Sequence, residues 1–168
     1  MRKSNGFGDL PQNGDKVICL RNCWDTESSD GNSLVNGTIG YIQNIQFYNA
    51  IFPCKRFVLS APAIQADLIS DTEEQDVYRM LTIDEKSVRE GVKSFTSQQE
   101  YAIMHYAKME PLTEFNYGYA ITCHRAQGSE WGKILVYEEA FPFDREEHAR
   151  WLYTAVTRAQ NRLVLVRK

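Results

Sequence analysis

Short apolar runs separated by turn residues fill the first two-thirds of the chain. Residues 17–20 form one such run and predict a buried strand. Asn36-Gly37 is a strong turn signal immediately before the next run, residues 38–42. Similar short pieces follow to about residue 83, with turn residues between them. This spacing predicts a small barrel or meander of strands rather than helices.

A helical pattern follows this strand-rich region. Ser97 and Glu100 have the spacing of a capping box, which predicts the start of a helix. The helix continues through residues 101–106 and has to stop before Pro111. This is the one helix that the pattern predicts clearly before the last third of the chain.

The last third alternates between strand and helix. Residues 119–122, 134–137 and 163–166 are apolar runs that predict strands. Asp144 predicts a helix N-cap, and apolar residues then recur at helical spacing along one face. These are Ala149, Leu152, Tyr153 and Val156. The order of strand, helix and strand is typical of an α/β layer with a mostly parallel sheet.

Composition sets the class of protein. With 168 residues, 43% of them hydrophobic, the chain is long enough for one core plus a small appended barrel. No stretch approaches the roughly 20 consecutive apolar residues of a membrane span, and the N-terminus does not lead into the apolar run of a signal peptide. We therefore expect a cytoplasmic protein without membrane association.

The four cysteines do not form a spaced ligand motif. They are Cys19, Cys23, Cys54 and Cys123, and only the first two are close in sequence. A zinc site is one interpretation. The other, which we prefer, is reduced cysteines packed as small apolar side chains, so that no metal site is predicted.

Charge is distributed unevenly. The formal net charge of -3 argues mildly against nucleic-acid binding. Residues 67–90 hold eight acidic and three basic side chains, whereas basic side chains dominate from Arg145 onward. The charge pattern therefore places any phosphate chemistry in the C-terminal third.

Two segments in that third carry the most specific signal: YAITCHRAQGSE at 119–130 and YTAVTRA at 153–159. The first resembles motif V and the second motif VI of RecD-like superfamily 1 DNA helicases, the type of the exodeoxyribonuclease V α-subunit. The segments GDKVICLRN at 14–22 and LVNGTIG at 34–40 resemble the start of the second motor domain in that family. In that family the Asn-Gly of the latter segment leads into an inserted Src-homology-3-like barrel.

Two further segments imitate nucleotide-binding motifs. GSEWGK at 128–133 has its glycines one residue too close for a phosphate loop, and no Ser or Thr follows the lysine. Glu138 and Glu139 follow an apolar strand in the manner of magnesium-binding acids, but without a phosphate loop we interpret them as surface residues.

The resemblance implies a catalytic role for Arg158. It would be the arginine that crosses a cleft to the γ-phosphate of ATP held by the first motor half. By residue type alone, the preferred explanation of Arg158 is a basic residue at a helix C-terminus, where the helix dipole favours it, and the sequence around Arg158 reverses that preference.

The resemblance also implies a nucleotide-binding group of three residues. Glu130 would lie near the nucleotide sugar, and Gln127 and Gly128 would offer an amide and an open backbone to the ligand. For Glu130 the alternative is simple solvation. ATP and magnesium would be bound mainly by the first motor half, which this chain lacks.

Contacts with single-stranded DNA are implied for the beginning of the same segment. Thr122 and His124 are placed at the end of a predicted strand, where α/β sheets bind ligands, and Arg125 occupies the basic position of the motif. Arg125 either contacts phosphate or faces solvent only. Arg21 and Asn22 are weaker candidates, and the three tryptophans either stack bases or pack at the edge of a core.

The predicted fold class is α/β: a RecA-like second motor domain of the P-loop NTPase type that lacks the P-loop. Residues 1–10 are a flexible lead-in, and residues 11–36 and 112–168 form the motor domain. Residues 37–111 form a small β-barrel-like insertion that ends in a helix. Its partners would be single-stranded DNA and an N-terminal motor domain from the same or a partner chain.

The predicted function is the C-terminal part of an ATP-dependent DNA helicase, inactive by itself. The alternative from another class is a non-catalytic binding module or degenerate scaffold that uses the barrel to recruit a protein. A nuclease is a weaker alternative, because no clustered carboxylates suited to two metal ions are evident in the sequence.

Overall fold

The computed structural model describes Gly6, residues 8–138 and residues 144–167. The chain divides into two compact units, with the boundary between Tyr119 and Ala120. Residues 1–5 and Phe7, which belong to the predicted lead-in, lie outside the described residues, as does Glu139.

Antiparallel strands form most of the first unit. They are β1 (Lys16–Cys19), β2 (Cys23–Glu27), β3 (Ser33–Leu34), β4 (Ile39–Pro53), β5 (Val58–Ser70), β6 (Val77–Asp84) and β7 (Phe115–Tyr117). Five of them form one sheet in the order β6-β5-β4-β1-β7, and β2 pairs with β3. The predicted strand at 17–20 is confirmed by β1, and the predicted strand at 38–42 lies within the first part of β4.

The β4–β5 hairpin is the longest feature of this sheet. Its pairing runs from Gly40 opposite Ser70 to Pro53 opposite Val58, with a bulge in β4 between Gln43 and Gln46. At Gly40 a side chain is excluded, because a Cβ would lie 2.3 Å from the carbonyl oxygen of Ile69. The glycine therefore permits the close approach of β4 and β5.

The two outer strands of the sheet are connected to each other. A parallel bridge joins Ile83, in β6, to Thr113, just before β7. Thr113 donates its amide N–H to the Thr82 carbonyl at 2.8 Å, and Asp84 donates its N–H to the Thr113 carbonyl at 3.0 Å. Residues 85–112 thus leave the sheet and return to it at the same place.

This excursion contains α1 (Glu85–Glu90), α2 (Ser97–Ala102) and a π-helical segment (Ile103–Ala107). The predicted helix at 101–106 is confirmed, although it changes from α to π geometry at Ile103. The predicted capping box at Ser97 is displaced by one residue, because Thr96 is the N-cap and Gln99 completes the box.

A buried carboxylate organises the start of the excursion. Asp84 is 2% exposed and caps α1 by accepting from the Lys86 and Ser87 amides. It also accepts from the Ser94 amide at 2.6 Å and from the Ser94 hydroxyl at 2.7 Å. One side chain therefore accepts from four donors, of which the Ser87 amide is buried and would otherwise have no partner.

The core of the first unit consists of two clusters of apolar side chains. The larger joins β1, β4, β5, β6 and β7 around Val17, Ile42, Ile64, Ile83 and Phe115. The smaller packs the far half of the β4–β5 hairpin on the helical excursion and contains Ala50, Phe52, Ala61, Ala63, Phe95, Ile103 and Leu112.

A parallel strand pair with a helix between its strands forms the second unit. The elements are β8 (Trp131–Glu138), α3 (Arg145–Val156) and β9 (Ala159–Arg167), with Ile134 opposite Leu163. These strands and this helix confirm the predicted order. Asp144 caps α3 as predicted, because its side chain accepts from the Glu146 and Glu147 amides, both at 2.8 Å.

The strand predicted at 119–122 is wrong. The strand at this place is β7, which ends at Tyr117 and pairs with β1 in the first unit. Tyr119 leaves the strand path because its hydroxyl donates to the buried carboxylate of Asp15 at 2.9 Å. Thr122 and His124 consequently lie in a turn and not at the end of a strand.

The predicted domain boundaries are not those of the two compact units. Residues 11–36 and 112–119, predicted as motor domain, lie in the first unit together with the predicted insertion. The second unit begins at Ala120. Which residues act together as a motor domain stays a prediction.

Candidate nucleotide and nucleic-acid site

A hydrogen-bonded turn at the start of the second unit holds most of the predicted site residues. The Ala126 amide donates to the Thr122 and Cys123 carbonyls, both at 3.1 Å, and the Arg125 amide donates to the Thr122 hydroxyl at 3.4 Å. The turn ends at Gly128, whose φ of +84° is accessible mainly to glycine.

The turn exposes its polar side chains and buries Ala126. The predicted DNA-contacting residues Thr122, His124 and Arg125 are exposed, and so are Gln127 and Gly128. A compact turn that buries one alanine and presents polar groups on its outside has the form of a ligand-contacting loop.

Arg158 lies directly after α3, where the chain turns into β9. Its Nε donates to the Thr154 carbonyl at 3.1 Å, and its two terminal nitrogens donate to the Ser129 carbonyl at 3.4 Å and the Thr157 hydroxyl at 3.1 Å. Its own carbonyl accepts from the Trp131 amide at 2.9 Å. Arg158 therefore connects the end of α3 to the segment that enters β8.

The guanidinium of Arg158 is half-buried and has only neutral partners. None of the ion pairs found in the described part of the chain includes it. An arginine has five N–H donors, and three are engaged in these contacts. Among the described residues, no carboxylate pairs with this oriented charge, and it can therefore bind an anion.

Glu130 lies between the turn and β8 and is exposed. Its Oε2 accepts from the Gln160 side chain at 3.4 Å, at the start of β9. One region, where the turn ends and β8 and β9 begin, therefore contains Gln127, Gly128, Glu130 and Arg158.

A shallow pocket of about 310 Å³ lies between the turn and α3. Its lining residues come from these two elements: Cys123, His124, Gln127, Glu147, Arg150, Trp151 and Thr154. The Cys123 thiol donates to the Trp151 carbonyl at 3.6 Å and so holds the turn against the helix. Burial raises the pKa of this thiol, and the neighbouring charge of Arg158 acts in the opposite direction.

The α3 residues of this pocket are not predicted from the sequence. The sequence identifies Trp151 only as an aromatic residue that either stacks bases or packs at the edge of a core. It identifies Arg150 only as part of the basic C-terminal third. The spacing of Glu147, Arg150, Trp151 and Thr154 places one helix face toward the turn, so helical periodicity is the signal that identifies them.

Glu138 is not a surface residue as predicted. It lies at the end of β8 with a side chain 14% exposed, and its two oxygens lie 2.7 Å from His148 Nε2 and 2.6 Å from Arg167 Nε. The hydrogen bond from His148, followed by the charge of Arg167, lowers the pKa of Glu138. The cluster joins β8, α3 and β9 at the opposite ends of the strands from Arg158.

The weaker candidates of the first unit have local partners. Arg21 forms long ion pairs with Glu100 at 3.8 Å and Glu114 at 3.9 Å. The Asn22 side chain accepts from the Asn36 amide at 2.8 Å. Trp24 is exposed and does not pack at the edge of a core.

Two kinds of feature are absent from Gly6, residues 8–138 and residues 144–167. In these ranges no helix combines the length and the apolar character needed to cross a membrane. Across the same residues, no three side chains of His, Cys, Asp or Glu are grouped so as to hold a metal ion.

Comparison with known families identifies the region that holds this site. Residues 117–166 match the family model of the UvrD-like helicase C-terminal domain. The match includes the turn, β8, α3, Arg158 and most of β9. This part of the chain resembles the C-terminal domain of UvrD-like helicases.

Two known proteins are similar to the chain. The ATP-dependent RecD2 DNA helicase of Deinococcus radiodurans is 45% identical over 53 residues, which cover 30% of this chain and 7% of that protein. The uncharacterized protein R530 of Acanthamoeba polyphaga mimivirus is 26% identical over 125 residues, covering 63% of this chain and 25% of that protein. The chain thus spans a quarter or less of each relative.

Proposed function

We propose that the chain supplies the second motor half of a RecD-like DNA helicase, with Arg158 as the arginine that reaches the γ-phosphate of ATP. The observation that carries this proposal is the guanidinium of Arg158, positioned by two carbonyls and a hydroxyl without a carboxylate partner. The helicase C-terminal match over the same residues supports it.

Phosphate transfer needs charge at the correct place more than it needs covalent chemistry from the protein. A guanidinium that is already oriented by neutral acceptors loses little entropy when a phosphate arrives, and its charge is not neutralised beforehand. The phosphate loop and the magnesium ligands would come from a first motor half, so we expect the isolated chain to be inactive.

The neighbouring residues fit the remaining parts of this function. Glu130, Gln127 and Gly128 would contact the nucleotide, and the exposed Thr122, His124 and Arg125 would contact single-stranded DNA. Because both groups lie within the turn and the two residues that follow it, movement of the DNA contacts would be transmitted to the nucleotide cleft through a segment of only nine residues, 122–130.

The test joins this chain to a RecD-type first motor half and measures DNA-stimulated ATP hydrolysis. We expect Arg158→Ala to lower turnover by about 10³-fold or more while nucleotide binding is retained. Arg145→Ala is the matched control, because Arg145 is an exposed arginine at the other end of α3. Arg145→Ala should leave turnover unchanged.

A purely structural role for Arg158 has its own support, because the three hydrogen bonds of its side chain all go to groups within the second unit. That role predicts that Arg158→Ala lowers the thermal stability of the second unit, and that turnover falls only in proportion to this loss of stability. If Arg158→Ala leaves turnover unchanged, this result would contradict the proposed function. The degenerate scaffold would then be the better explanation.

A further inference from the structure

The β4–β5 hairpin differs in charge from the rest of this acidic chain. Between Asp30 and Asp67 the sequence contains no Asp or Glu, and its only charged residues are Lys55 and Arg56. Two cations and no acids give this stretch a charge of +2, whereas the whole chain has a net charge of -3. The acidic character of the first unit lies elsewhere, in residues 67–90.

Both cations lie at the end of the hairpin. Pro53 and Val58 are the last paired residues, and the connection between them consists of Cys54, Lys55, Arg56 and Phe57. Lys55 and Arg56 are exposed, and neither takes part in an ion pair within the described part of the chain. Their charges are available to a ligand.

Large apolar side chains are exposed in and beside the segment that holds these cations. Phe57 is 48% exposed, Ile51 59% and Val58 64%. Phe47 is also exposed further along β4. Large exposed apolar side chains that accompany unpaired cations indicate a binding surface rather than a merely solvated loop.

The hairpin end is supported from its other face. Phe52 contacts Phe95 edge-to-face with the ring centroids 5.5 Å apart, and the Cys54 thiol donates to the Ala102 carbonyl at 3.6 Å. Ala50 and Ala61 are buried in the same cluster. The exposed residues are thus presented by a packed element, which reduces the entropy lost on binding.

We propose that the end of the β4–β5 hairpin, with Lys55, Arg56 and Phe57, binds single-stranded nucleic acid. Cations that neutralise phosphates together with aromatic rings on which bases stack are the combination that such a strand requires. The choice of ligand rests on the proposed function, but the surface belongs to the first unit and is distinct from the turn at residues 122–130.

The experiment measures binding of a fluorescent single-stranded oligonucleotide by the full chain over a range of salt concentrations. Lys55→Ala combined with Arg56→Ala should lower the slope of log affinity against log salt by about 1.4, since each single-strand phosphate contact contributes about 0.7. Phe57→Ala should weaken binding by roughly five-fold or more, with the slope nearly unchanged.

The matched control is Arg79→Ala combined with Lys86→Ala. It removes the same charge from the acidic segment of the first unit, at two exposed positions. We expect this double variant to retain the slope and affinity of the unchanged chain. Equal losses of affinity and slope in both double variants would show that net charge alone causes the effect. This result would overturn the proposal.

A second arm uses vesicles that contain anionic phospholipid, because cations beside apolar side chains also suit a membrane surface. Vesicle binding that depends on Lys55 and Arg56, with nucleic-acid binding indifferent to them, would overturn the proposal. So would an unchanged chain that binds no oligonucleotide. Neither result bears on the role proposed for Arg158, which the response of ATP hydrolysis to Arg158→Ala tests separately.

Discussion

The two units use their apolar residues in different ways. In the first unit the antiparallel strands alternate between buried and exposed positions, and Phe115, Ile83 and Ile64 are completely buried. In the second unit β8 and β9 each contain a continuous apolar run, yet Leu135 is 60% exposed and Tyr137 50%. Among the described residues of the second unit, only Ala126, Val136 and Ala155 are buried.

This contrast shows that a strand with an apolar sequence is not necessarily buried. Continuous apolar runs are typical of parallel strands covered on both faces, and β8 and β9 are parallel. The second unit, however, provides one helix and two strands. An apolar pattern therefore correctly predicts that a strand is parallel. How far that strand is buried depends instead on the number of layers that cover it.

The largest effect that we expect from this contrast concerns core truncation. Phe115→Ala should lower the free energy of unfolding of the first unit by about 3–5 kcal/mol, because it empties a filled position. Leu135→Ala in β8 should cost less than about 1 kcal/mol. Urea denaturation followed by hydrogen exchange on peptides of each unit measures both changes. Equal losses of unfolding free energy in the two variants would contradict the difference in burial between the units.

A second comparison concerns two capping aspartates. Asp84→Ala should cost about 3 kcal/mol, because the buried amide of Ser87 and the partly buried amide of Ser94 lose their acceptor. Asp144→Ala, at an exposed cap of α3, should cost about 1 kcal/mol. Thermal unfolding measures the difference. Asp84→Asn should restore part of the loss through its amide oxygen, and no difference between the two alanine variants would contradict the role of Asp84 as a buried acceptor.

The smallest expected effect concerns thiol reactivity. Hydrogen bonding from Cys19 lowers the pKa of Cys23 to about 7, and the same bond raises the pKa of Cys19. Burial raises the pKa of Cys123 in the second unit. Because the thiolate is the nucleophile, alkylation of Cys23 should rise with pH and reach half its maximum near 7, whereas alkylation of Cys123 should begin at more alkaline pH.

Mass spectrometry of alkylated peptides distinguishes the two cysteines. Cys19→Ser removes the thiol that lowers the pKa of Cys23, so the Cys23 profile should move to higher pH in that variant. Cys54→Ser is the control, since Cys54 bonds to a carbonyl in the other core cluster. Identical pH profiles for Cys23 and Cys123 would contradict the prediction.

Much of the second unit and part of the first could be predicted from local pattern. The cap at Asp144, the strands around Ile134 and Leu163 and the early strand β1 depend on residues close in sequence, and each is confirmed. The strand at 119–122 could not be excluded in this way. Its loss depends on the bond between Tyr119 and Asp15, which are 104 residues apart.

The candidate site shows the same division. The turn follows from a glycine and a short polar segment, and motif resemblance predicted its residues. The contribution of α3 to the pocket and the cluster of Glu138, His148 and Arg167 depend on how the helix packs beside the strands. The positive charge at the hairpin end is not evident from the net charge of the predicted insertion, because that sum combines the acid-free part of the hairpin with the acidic residues 67–90.

The bridge between Ile83 and Thr113 has a consequence for how relatives of this chain can diverge. Since residues 85–112 begin and end at one pair of backbone hydrogen bonds, this excursion can change length without altering the register of the sheet. Its Phe95 nevertheless packs on Phe52 of the hairpin. In homologous chains the lengths of the hairpin and of the excursion should therefore vary together, each shortening when the other does.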